Sequence, residues 1–125
     1  MHLFDGTKTT DPLVWIKDVE QHKRVGEEVL SYGDVHLWVS TVFLGIDHNF
    51  ENEGSPLLFE TMIFECAPDG AVLDWSELYC RRYATVGEAR TGHSQIVALL
   101  KARKASTVNI NQLANDILAT VRKED

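Results

Sequence analysis

The chain has 125 residues, of which 44% are hydrophobic and 25% charged. That balance matches a single α+β domain over residues 1–125 with one buried core, and it argues against disorder. Twelve Lys and Arg against nineteen Asp and Glu leave a formal charge of −7, which repels a phosphate backbone and argues against nucleic-acid binding.

No apolar run approaches a membrane span, and the start MHLFDGTK has neither a basic region nor an apolar signal core. No membrane partner and a cytoplasmic location are therefore expected. Cys66 and Cys80 are too few for a disulfide framework and lack metal-pair spacing, so reduced thiols are expected.

Asp11-Pro12 reads as a helix start, with Asp at the N-cap and Pro where its missing N–H does no harm. Trp15, Ile16 and Val19 then recur at helical spacing up to His22. Residues 24–30 read as an edge strand closed by the turn 31–34. Residues 35–46 form the firmest strand, with Trp38, Val42 and Leu44 on one face and Val39, Thr41 and Phe43 on the other. Apolar residues on both faces predict a central strand covered on both sides, or covered by a partner on one.

Gly45 predicts a bend before Asp47. A second firm strand covers 57–64, entered through Pro56, and a third covers 78–83 after the turn-rich 67–70. Short links between adjacent strands predict an antiparallel three- or four-stranded meander. Thr85 to Glu88 has the capping-box form. Ala89, His93, Ile96, Val97 and Leu100 then line one face of a helix expected to pack on the sheet. A last helix is expected from Asn109 or Asn111, repeating Ile110, Leu113, Ile117 and Val121.

Three ordered blocks carry a resemblance: VSTVFLGIDH at 39–48, LLFETM at 57–62 and YATVGEARTGH at 83–93. They are similar to the V-S-T-V-x-L-G-x-D-H, L-x-F-E-T-M and Y-x-T-x-x-E-A-x-x-G-H blocks of a family of small proteins common in bacteriophages and actinobacterial genomes. The resemblance implies a phage or prophage context and no particular chemistry. The chain departs from the family pattern in its more acidic loop after His48, in a longer connection over 66–77, and in the tail 106–125.

Asp47, His48, Glu60, Arg82 and His93 are the candidate binding residues. In a meander the loop start neighbours the strand bearing Glu60, and His93 lies on the apolar side of its helix. Glu60 and His93 are therefore expected to share the enclosed layer between sheet and helix. With Asp47 and His48 they have the ligand chemistry for a divalent metal that activates water. As a pair they have the chemistry for acid–base work. Arg82 is the cheapest buried partner for Glu60, and Arg82 with His93 is suited to an anionic ligand.

No spacing motif supports a metal centre, a phosphate loop or a nucleophile elbow. The leading expectation is accordingly a non-enzymatic phage or prophage accessory protein that needs no cofactor and binds a host or defence protein. The alternatives are a small metal-dependent hydrolase or a small anionic-ligand binder. Dimerisation is one way to cover a second apolar sheet face; Trp38 and Trp75 are expected first as core packing and only second as partner anchors.

Overall fold

The computed structural model describes residues 1–32, 34–49 and 54–102. Helix α1 (Pro12–His22) opens as expected, with the Asp11 carboxylate accepting the Leu13 N–H and Pro12 in the first turn. Strands β1 (Arg24–Tyr32), β2 (Val35–Phe43), β3 (Phe59–Cys66) and β4 (Tyr79–Tyr83) form one antiparallel sheet in the order β1-β2-β3-β4. Helix α2 (Val86–Ala102) follows β4 directly, and the Thr85 hydroxyl accepts the Glu88 N–H as its cap. The expected helix beyond Asn109 lies outside the described residues. No described helix is long and apolar enough to cross a membrane.

Five strand boundaries differ from expectation: β1 runs on to Tyr32 and β3 to Cys66, β4 begins at Tyr79, and the β2 end and β3 start lie where the chain leaves the ladder. β2 stops at Phe43 because the chain turns at Gly45, whose φ of +74° favours glycine. A Cβ there would also lie 2.7 Å from Val19, and the Trp15 indole donates to the Gly45 carbonyl at 2.8 Å. Residues 57 and 58 leave the ladder by degrees: the Leu58 carbonyl still accepts from Leu44 N–H, but Leu58 N–H donates to the Tyr83 carbonyl one step off the register, and the Leu57 carbonyl accepts from His48 N–H. β3 therefore begins at Phe59.

Cross-strand partners share a face of a sheet, so the register assigns every side chain. Phe43 pairs with Phe59, Thr41 with Thr61 and Val39 with Ile63, and β4 adds Tyr83, Arg81 and Tyr79 to this row of positions. This face meets α2. Leu37, Val39, Ile63 and Tyr79 pack against Ile96, Val97 and Leu100 at one end of the helix. Phe43, Phe59 and Tyr83 pack with Ala89 at the other. Each fully buried aliphatic side chain here contributes about 1.5–3 kcal/mol relative to exposure.

Phe4 closes the Ala89 end, edge-on to Phe43 and Phe59 and stacked on His22. Its N–H donates to Asp18, which ties α1 to the sheet end. The opposite sheet face carries Arg24, Glu27 and Val29 of β1, Trp38, Ser40 and Val42 of β2, Glu60, Met62 and Phe64 of β3, and Cys80 and Arg82 of β4.

Candidate functional site

The helix-facing layer holds a buried polar chain. Tyr83 Oη donates to Thr61 Oγ1 at 3.1 Å, Thr61 meets Thr41 Oγ1 at 2.5 Å, and Thr41 meets His93 Nδ1 at 2.7 Å. With the Thr41 hydroxyl donating to Nδ1, the imidazole proton resides on Nε2, which faces Glu28 Oε1 at 3.9 Å. Lys101 reaches the other Glu28 oxygen at 3.5 Å.

Burial pushes the His93 pKa down from its ordinary value, and the Glu28 carboxylate opposes this only in part. The ring is therefore neutral near pH 7. It rests against Gly26, where a Cβ would come within 2.9 Å of the imidazole, so β1 needs glycine at this position. The arrangement locks α2 onto the sheet through a polar chain whose hydroxyls have partners, and it places one neutral imidazole at the edge between β1 and α2.

Glu60 is on the other face. Its carboxylate accepts from Arg82 Nε at 2.9 Å, across the register pair Glu60–Arg82. Cys80 also hydrogen-bonds to Glu60; burial foremost, then that carboxylate's charge, pushes the thiol up to about 11. The Glu60–Arg82 pair matches the sequence reading, but the shared layer with His93 does not. Side chains alternate along a strand, so Thr61 faces the helix and its neighbour Glu60 must face away. Glu60 and His93 are each only 8% exposed, on opposite sides of the sheet. The Arg82–His93 pairing for an anion fails for the same reason.

Asp47 and His48 lie where the loop leaves the sheet. Asp47 Oδ1 accepts the Asn49 and Leu57 N–H groups at 2.8 Å each, which hold its carboxyl below the usual carboxylate range. His48 Nδ1 donates to the Ile46 carbonyl at 3.0 Å. Both residues shape the loop. Among the described residues, no three His, Cys, Asp or Glu side chains gather so as to hold a metal. Thus Asp47, His48, Glu60 and His93 do not assemble the expected ligand set. Two surface depressions along α2, of about 490 and 370 Å³, include none of the five candidates.

The open face carries an aromatic cluster instead. After β3 the chain makes an excursion in which Leu73 N–H donates to the Glu65 carbonyl and Gly70 comes to rest beside Val29. It lays Trp75 over the sheet, edge-on to Phe64 at 5.4 Å and to Trp38 at 6.4 Å between ring centroids. Trp38 and Phe64 lie 5.8 Å apart. The Trp38 indole donates to Glu27 at 3.0 Å, and Arg24 sits over its ring at 5.4 Å. Phe64 is thereby buried, yet Trp75 remains 70% exposed, as do Leu73 of the same excursion at 63% and Val29, the cross-strand partner of Trp38, at 41%.

Sequence reasoning named Trp38 and Trp75 but missed Leu73, Val29 and the Thr41–Thr61–Tyr83 chain. Charge gave no signal for the chain: the face with Glu60 carries Arg24, Glu27 and Arg82, and the face with Thr41 and Thr61 carries Glu28, Glu65 and Arg81. Comparison with family models, curated proteins and solved structures finds no match to this chain.

Proposed function

We propose that this chain is a phage or prophage accessory protein that acts in the bacterial cytoplasm by binding a host or defence protein, without catalysis. The observation that carries the reading is the Trp75 cluster. A tryptophan 70% exposed on a platform of two other aromatics leaves a large apolar surface in water. Such a surface costs solubility, and a rigid indole loses little entropy on docking. The phage context rests on the three sequence blocks.

The hydrolase reading gains no support from the geometry, because its proposed ligands point to different parts of the molecule. The test is photo-cross-linking in an actinobacterial host, with a benzophenone amino acid at Leu73 and, as a control, at Lys17 on α1. A discrete host protein captured at Leu73, and lost with Trp75→Ala, is the expected result. Capture at Lys17 alone, or capture at Leu73 unaffected by Trp75→Ala, overturns the proposal.

A further inference from the structure

We infer that the Trp75 face takes a basic partner: a protein segment presenting an apolar stripe flanked by Lys or Arg. This deepens the binding reading and rests on it. The argument is charge complementarity around an apolar centre.

The excursion over residues 67–78 carries Asp69, Asp74 and Glu77 and no Lys or Arg. Asp69 and Asp74 each accept an N–H two residues on, from Ala71 and Ser76, so their carboxylates are fixed in Asx turns of the excursion, Asp74 next to Trp75 in the chain. Glu27 holds the Trp38 indole from the β1 side. The cations of this face are already engaged, Arg24 by Glu27 and Ser40 and Arg82 by Glu60. Burial raises both thiols first, and Asp69 adds to this at Cys66, while at Cys80 Glu60 and Glu77 add to it and Arg82 opposes them.

An incoming Lys or Arg meets two favourable partners here, a carboxylate rim and the face of an exposed indole. Nucleic acid and anionic lipid are repelled by the same rim. A second copy of this chain would bring the rim against itself, since a two-fold interface juxtaposes like patches. The apolar centre supplies affinity and the rim supplies selection.

The probe is a helical peptide of about 14 residues with a Leu stripe flanked by Lys. It is titrated into the isotope-labelled full chain and followed by NMR shifts at the Trp75 and Trp38 indoles. A Leu/Glu peptide and a Ser/Lys peptide serve as controls. The Leu/Lys peptide should bind at this face, about tenfold or more tightly than either control, and weaken about tenfold between roughly 50 and 500 mM salt. Trp75→Ala should weaken it about tenfold, and so should the combined Asp69→Asn, Asp74→Asn and Glu77→Gln variant, which keeps the turn geometry.

Equal binding of the Leu/Glu or Ser/Lys peptide overturns the inference, as does failure of all three or indifference to Trp75→Ala. So does a dimer by sedimentation that Trp75→Ala dissolves, which would make a second copy the occupant. Solvent exchange at the Trp75 indole that rises in Leu113→Asp/Ile117→Asp would assign the face to the chain's own C-terminal segment, and that too overturns the inference. A host cross-link at Leu73 to an acidic surface would leave the binding reading standing and remove this one.

Discussion

Gly92→Ala reverses the sign that helix propensity assigns to it. Inside a helix, Gly to Ala normally gains about 1 kcal/mol. Here the new Cβ would collide with Cε1 and Oη of Tyr83 and lie only 2.6 Å from Cζ. Ordinary carbon contacts are about 3.5–4.0 Å, so ring or helix must move by ~1 Å or more. The ring is fixed, being 2% exposed with its hydroxyl bonded to Thr61. Moving the helix instead pulls His93 from Thr41, a 2.7 Å contact.

Overpacking costs about 1–3 kcal/mol and loss of one buried hydrogen bond a similar amount. After the propensity gain, a net loss of about 3 kcal/mol is expected, or a urea midpoint lower by about 2 M at an m-value near ~1.5 kcal/mol/M. Gly87→Ala is the control in the same helix, because nothing lies closer than 3.9 Å to its Cβ. It should be neutral or gain up to about 1 kcal/mol. Equilibrium urea unfolding, with Tyr83→Leu completing a double-mutant cycle, measures the coupling. A Gly92→Ala protein within about 0.5 kcal/mol of wild type, or more stable, refutes the packing argument.

Stability should fall in mild acid because of His93. Its folded pKa is depressed from the ordinary 6.5, chiefly by burial. The unfolded chain therefore binds a proton that the folded chain resists, so this contribution is intact above about pH 6.5 and is lost as pH falls below it. Urea midpoints across this range should show the fall; Glu28→Gln should steepen it and His93→Phe flatten it. A profile unchanged by His93→Phe would assign the acid sensitivity elsewhere.

Thr41→Val, close in shape but lacking the hydroxyl, should cost about 1–3 kcal/mol because it orphans His93 Nδ1. The loss should shrink in the Thr41→Val/His93→Phe double variant, measured by the same unfolding assay. Cys66 and Cys80 should resist a disulfide reagent near neutral pH until the chain unfolds, since burial raises both thiols and takes Cys80 to about 11. Rapid labelling of Cys80 in the native state would contradict that placement.

Much of this architecture could be read from residue order because its signals are local. Asp11-Pro12 and Thr85 mark helix starts through hydrogen bonds that span only a few residues. The two β-forming runs predict a hairpin, and the Ala89-to-Leu100 stripe names the buried face of α2, all of which recur in the structure. The Glu60–Arg82 pair was also within reach, since an inward acid on a meander needs a cation on the next strand.

What needed the folded chain was facing. Phe59, Thr61 and Ile63 are about as apolar as Leu58, Met62 and Phe64, so the pattern left open which side α2 would cover. A single step in that choice carries Glu60 from beside His93 to the far side of the sheet. Gly26 and Gly92, which let the imidazole and the Tyr83 ring approach so closely, meet partners 67 and 9 positions away in the chain. Trp75 likewise became a surface group only through the path of its excursion over Trp38 and Phe64. Caps and periodicity act between neighbours in sequence, whereas side-chain layers are settled by contacts between residues far apart along it.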